Sequence, residues 1–213
     1  MADRYPGYDV MAKRHTPSWN EKTRQVIDQR LTVPREPRFL DAGEFATLSA
    51  IAARITPQPA DRAPIPVAAL VDDKLLHDRQ DGYREAAMPR DREAWQRGLR
   101  AIDAEAQSAH GAAFRDLPPT QQDALLRRVE SGDAHHAAWD GMPPKTFFKH
   151  RLLTDIVHAY WSHPTAWNEI GWGGPASPRG YVRMGYDERD AWEAAQASAA
   201  DDHHARRKNA RVG

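Results

Sequence analysis

The most apolar helical stretch of the chain covers residues 144–162. Phe147, Phe148, Leu152, Leu153, Ile156, Val157, Tyr160 and Trp161 fall on most of the circumference of a 3.6-residue helix. A helix that is apolar on so many sides has to be covered on as many sides, so it predicts a domain built around it. Pro144 opens this stretch and His163-Pro164 closes it, since proline suits a first helical turn and interrupts an interior one.

Four further helical stripes supply the covering layers. Asp41 and Glu44 have the spacing of a capping box, and Phe45, Leu48, Ile51, Ala52 and Ile55 recur behind them before Thr56-Pro57. A second helix begins near Pro66 and carries Val67, Leu70, Val71 and Leu75. A third is capped by Asp91, carries Trp95, Leu99, Ile102 and Ala106, and ends at Gly111. A fourth opens on the capping pattern at Thr120 and turns Leu125, Leu126 and Val129 inward. No strand-like alternation of apolar and polar residues occurs. The expected fold is all-α: an irregular bundle of about five core helices with a long aromatic, glycine- and proline-bearing loop and extended terminal arms.

The expected organisation is a polar N-terminal arm over 1–38, a helical domain over 39–186 and an alanine-rich charged tail over 187–213. The arm holds four scattered prolines (Pro6, Pro17, Pro34 and Pro37) and one helix-compatible stretch, 19–31, with Ser18 as its N-cap. In the tail, Trp192 is the one large apolar anchor, which predicts a marginal helix fraying into basic residues.

Composition narrows the chemistry. Thirty Lys and Arg balance thirty Asp and Glu, so no global field draws the chain to nucleic acid or an anionic membrane. With no cysteine, the chain can supply no disulfide, thiolate nucleophile or cysteine metal ligand. No run is long and apolar enough for a membrane helix, and no apolar leader opens the sequence. The expected location is cytoplasmic as encoded, or periplasmic if the chain is exported with a partner or is a mature form.

Phosphate-loop, dinucleotide and serine-elbow motifs are missing. His150 and His158 lie eight apart, roughly 80° from eclipsed on a helix, and His135-His136 and His203-His204 are adjacent pairs, so none has convincing metal-ligand spacing. The carboxylate pairs Asp72-Asp73, Asp103 with Glu105, and Asp201-Asp202 read as solvated helix faces and caps. Catalytic, cofactor and metal residues are therefore expected to be none.

The segment 167–186, WNEIGWGGPASPRGYVRMGY, is the exception to this plainness. It packs two tryptophans, two tyrosines, five glycines, two prolines and two arginines into twenty residues. Its Gly-Gly-Pro and Pro-Arg-Gly triplets read as turns, and no regular helix or strand is expected there. Its rings are too many for a loose linker. Interfaces favour Trp, Tyr and Arg, and a guanidinium can stack on a ring. Within an aromatic docking loop over 163–186 and its approach, the candidate partner-facing residues are Trp161, Trp167, Trp172, Arg179, Tyr181, Arg183 and Tyr186.

The order of motifs resembles the gluconate 2-dehydrogenase subunit 3 family. The matching features are Phe39-Leu40-Asp41 leading to Ile55-Thr56-Pro57, GLRAIDAEAQSAHGAAF over 98–114, and LPPTQQDALLRRVE over 117–130. Phe147-Phe148 then opens the long helix to Tyr160, and GWGGPASPRGYVRMG over 171–185 completes the series. The resemblance implies a non-catalytic, chaperone-like accessory subunit. It would bind and stabilise, and help mature or export, a flavin-dependent large subunit of the glucose-methanol-choline (GMC) oxidoreductase type. FAD is expected in that partner and none in this chain, and a cytochrome c subunit often receives the electrons. Many family members carry a twin-arginine leader where this chain has its polar arm. Two other readings stay open on the residues: a stand-alone helical enzyme holding a metal or haem, and a general protein-interaction module.

Overall fold

The computed structural model describes residues 3–180, 192–198 and 202–212. Among these, the regular elements are helices, and an isolated parallel bridge joins Trp19 and Ser177. The fold is all-α, as the stripes and the lack of alternation predict. The chain divides into two compact units: 33–160, and 1–32 together with 161–213.

In the first unit, α2 (Ala42–Ile55) starts on the expected capping box. Asp41 accepts from the Glu44 amide, and Glu44 accepts from the Asp41 amide. α3 (Val67–Leu76), α4 (Asp91–His110) and α5 (Pro119–Ser131) follow the remaining stripes. Their starts differ in detail. Asp91 is the first residue of α4 rather than its cap, and α5 begins at Pro119 with no side-chain cap, so Thr120 has no capping role. Proline at the first helical position lacks the amide that a cap would otherwise satisfy. Gly111 ends α4 at φ +71, where a left-handed residue is needed.

The long apolar helix is not uniform. It runs as α6 (Pro144–Phe147), a π turn over Phe148–Leu153, and α7 (Thr154–Trp161). Its buried line is Phe147, Leu152, Ile156 and Tyr160. The five-residue step from Phe147 to Leu152 is the one that a π turn brings into register. Leu153 and Trp161 are exposed, so the expectation of burial on most sides is corrected: one face is core.

Phe147 is the keystone of that face. Its ring stands edge-on to Trp95 at 5.7 Å and to Trp139 at 5.9 Å. On α4, Gly98 presents bare backbone to the same ring, and a Cβ there would lie 2.2–2.6 Å from three of its atoms.

Carboxylates expected on solvated faces instead pin loops. Asp72, buried, accepts from the amides of Arg38, Phe39 and Leu40 and so holds the approach to α2. Asp103 accepts from Thr47 Oγ1 and the Phe114 amide. Glu105, also buried, accepts from the His136 amide and Trp139 Nε1. Asp72, Asp103 and Glu105 are structural because each exchanges water for protein donors as its carboxylate is buried or half-buried.

The second unit is built from both ends of the chain. The residues expected as a polar N-terminal arm contribute Tyr5, Tyr8, Val10, Trp19 and Ile27 to a core that also contains Trp167, Ala194 and Val212. α1 (Glu21–Leu31) is capped by Asn20, which accepts from the Thr23 amide, rather than by Ser18. The expected C-terminal tail supplies α9 (Asp202–Asn209). Its buried Asn209 donates to Pro6 O and Ala195 O and accepts from the Ala195 amide. Long-range aromatic burial, invisible to a local polarity reading, turns scattered prolines and rings into a core.

Candidate docking surface

The aromatic segment begins on a helix, not a loop. α8 (Pro164–Ile170) starts with Pro164 at its first position, with His163 Nδ1 accepting from the Thr165 amide, and ends at Gly171 with φ +63. The expectation that 167–186 contains no regular helix is therefore corrected for 167–170. The signal lay in the sequence: proline at the first position and glycine just past the last frame a seven-residue helix.

Trp167, on this helix, is core. It is 2% exposed, its Nε1 donates to Trp161 O at 2.6 Å, and its ring meets that of Trp172 edge-on at 4.8 Å. Burial of the Trp167 ring fixes the backbone on both sides of it. Arg30 Nη1 also donates to Ser162 O, which brings the end of α1 to the same corner.

The N-terminal residues strap the turn that follows. Val10 N donates to Asn168 Oδ1 at 2.8 Å, Tyr8 OH to Trp172 O at 3.3 Å, and buried Lys13 Nζ to Gly173 O at 2.9 Å. Ser177 exchanges backbone bonds with Ser18 and Asn20. The close approach explains Gly171, where a Cβ would stand 2.5–2.7 Å from the Tyr5 ring.

Among the described residues of this second unit, four large apolar side chains stay outward. Trp161 is 39% exposed, Ile170 50%, Trp172 41% and Leu31 41%. Arg179 places its guanidinium 4.2 Å from the centre of the Trp192 ring, a cation–π pair that covers part of an indole. Of the seven residues singled out from sequence, Trp161 and Trp172 are exposed, Trp167 is core and Arg179 is stacked. Tyr181, Arg183 and Tyr186 lie outside the described residues. Sequence reasoning missed Ile170 and Leu31, which sit at helix ends, where periodicity assigns no face. Nothing in this surface pairs a nucleophile with a base, and among the described residues no group of three His, Asp or Glu could hold a metal ion.

The other dense feature belongs to the unit of 33–160. Asp155 and Arg151 are buried there beside Asp91. Arg151 Nη1 donates to Asp91 at 2.8 Å and Asp81 at 3.1 Å. Lys74 Nζ donates to Asp155 at 2.8 Å and Asp81 at 2.9 Å, and Trp95 Nε1 donates to Asp155 at 2.9 Å. Burial pushes the Asp91 carboxyl up, against the pull of Arg151 and Lys74. For Asp81, burial pushes the same way, but the bonds and charges of Lys74 and Arg151 outweigh it and hold the carboxyl below its ordinary value. Burial lowers Lys74, yet Asp155 and Asp81 overcome it and the ammonium titrates above its usual range. All five charges are mutually satisfied, so this network is a staple between α3, α4, the π turn, α7 and the 78–89 loop.

With the geometry in place, comparison with known families decides the identity. The family model for gluconate 2-dehydrogenase subunit 3 matches residues 42–174, more than half of the chain. The chain belongs to the gluconate 2-dehydrogenase subunit 3 family. No curated protein and no solved structure matches it. The subunit 3 match spans α2 through α8 and stops just after Trp172, so three of the four outward apolar residues lie inside it and Leu31 lies outside. No helix among the described residues is long and apolar enough to cross a membrane.

Proposed function

We propose that the chain is a non-catalytic small subunit of a gluconate 2-dehydrogenase-like complex. It binds and stabilises a flavin-dependent large subunit of the GMC type and assists its maturation. The observation that carries this reading is membership of the subunit 3 family over 42–174. FAD and hydride chemistry belong to the large subunit, a cytochrome c subunit takes the electrons, and the location of the complex follows the partner.

The docking anchors are Trp161, Ile170 and Trp172, with Leu31 at the edge. Partly exposed indoles fixed on a rigid support present large area at low entropic cost, the pattern of interface anchors. The buried Trp167 and the N-terminal strap provide that support. By themselves four side chains cover less than the roughly 800 Å² per partner of a stable interface. They form the centre of a larger footprint; Tyr181, Arg183 and Tyr186, the other candidates from sequence, lie outside the described residues.

The test is co-expression with the flavoprotein large subunit. Flavin absorbance should co-elute with this chain, and dehydrogenase yield should fall when the chain is left out. Separate elution with yield and activity unchanged overturns the proposal.

A further inference from the structure

A second candidate site lies within the unit of 33–160 and does not rest on the proposed function. Between α2, the 58–66 segment and the first turn of α3 is an open cavity of about 290 Å³. Phe45, Ala52, Ile65 and Val67 form its apolar walls, Ala53 stands at its rim, and Arg35 is its one charged lining residue. At interior packing density this space holds an apolar body of roughly ten carbons.

Its polar groups are mostly committed. Ser49 Oγ donates to Phe45 O, and the Gln58 amide is used at both ends by the backbone of Ile65. Arg35 is different. Both Nη atoms reach only Pro64 O, each at 3.5 Å, so most of its five donors remain available. Ala68 and Ala69, in the same wall, belong to the first turn of α3, which no side chain caps, and that helix end adds to the positive potential.

We infer that this cavity binds a medium-chain carboxylate, its acyl chain against Phe45, Ala52, Ile65 and Val67 and its carboxylate on Arg35. The chemistry discriminates against the other candidates. A sugar acid such as gluconate brings several hydroxyls, and Ser49 and Gln58 have little left to offer them. A peptide end brings amides that these walls leave unmatched. An acyl chain brings nothing that needs a partner, and a carboxylate matches the fork of a guanidinium.

Isothermal titration of the full-length chain with decanoate tests this, with 1-decanol and gluconate as comparison ligands. Decanoate is expected to bind and gluconate to give no heat. Arg35→Ala should weaken decanoate roughly tenfold and leave decanol unchanged. Ala53→Trp should close the rim and abolish both. Both positions are exposed, so thermal melts should match the wild type; if the Ala53→Trp melt falls, Arg35→Ala decides alone. Absence of decanoate binding, or decanoate binding undiminished by Arg35→Ala, overturns the inference. Binding of gluconate as tight as that of decanoate overturns the assigned ligand class.

Discussion

Gly98→Ala is a substitution that helix propensity alone predicts to stabilise α4 by about 1 kcal/mol. The packing predicts the reverse. The new Cβ would lie 2.2 Å from Phe147 Cζ and 2.5 and 2.6 Å from the two Cε atoms. Carbon atoms in contact sit about 3.5 Å apart, so the ring would have to recede by about 1.3 Å. It has nowhere to go, being fully buried and flanked by Trp95 and Trp139. Overpacking of this kind costs about 1–3 kcal/mol, sometimes more. With three ring atoms displaced the upper end applies, leaving a net loss of about 2 kcal/mol after propensity. In urea melts followed by circular dichroism, that is a fall in midpoint of about 1 M at unchanged slope. The cause is isolated by a second variant. Phe147→Ala should itself cost about 3–5 kcal/mol, but in that background Gly98→Ala should regain its propensity benefit of about 1 kcal/mol. The coupling energy is then about 3 kcal/mol, the difference between the two contexts. A Gly98→Ala protein as stable as the parent, or strict additivity with Phe147→Ala, would refute the reasoning.

Removing the Asp155 carboxylate (Asp155→Ala) takes the acceptor from buried Trp95 Nε1 and leaves Lys74 paired with Asp81, and should cost about 1–3 kcal/mol in denaturant melts; a loss well under about 1 kcal/mol would mean the network is dispensable. The pH dependence has two limbs. Asp81, held low, contributes stability that is present above its unfolded value of about 3.9 and lost as pH falls through its folded one, whereas Lys74, held high, contributes below about 10.4 and loses it as pH rises through its folded value. Asp91, pushed up by burial, binds a proton more tightly when folded, so the wild type should gain stability relative to Asp91→Asn as the pH drops from 7 into the acid range; an opposite trend in parallel melts contradicts the assignment. Trp172→Ala should weaken capture of the flavoprotein large subunit by roughly tenfold or more while leaving the melt within about 1 kcal/mol of the parent; equal loss of both would make that residue a folding element only.

The all-α class and the cores of α2 to α5 were legible because apolar spacing and capping chemistry are local. Asp41 and Glu44 close their box through bonds three residues apart, and Gly111 takes a left-handed turn that its own backbone demands. The π turn was not legible. Phe147 and Leu152 align only because the turn widens by one residue, and the reason sits on α4 at Gly98 and Trp95. The same holds for the acidic pairs, since Asp72 and Glu105 look solvated until segments 34 and 31 residues away bring their amides to them. The N-terminal region misled most. Its polar average hid Tyr5, Tyr8, Val10 and Trp19, whose partners lie more than 150 residues later.

That strap changes what the aromatic segment has left to offer a partner. Composition alone treats all its rings as equivalent, but Trp167 is consumed by the core, Arg179 by Trp192, and the carbonyls of Trp172 and Gly173 by Tyr8 and Lys13. A turn held by so many internal bonds cannot rearrange freely, so under the proposed function Trp161, Ile170 and Trp172 would be recognised as a preformed surface. Preorganisation lowers the entropic cost of association, and here it depends on residues 5–20, which lie outside the span matched by the family model. Weakening the strap should therefore reduce partner capture without touching any outward residue; Tyr8→Phe removes the hydroxyl that donates to Trp172 O, and Asn168→Ala removes the acceptor of the Val10 amide. If those variants bind the large subunit as well as the parent does, the strap serves stability alone and the docking surface is rigid without it.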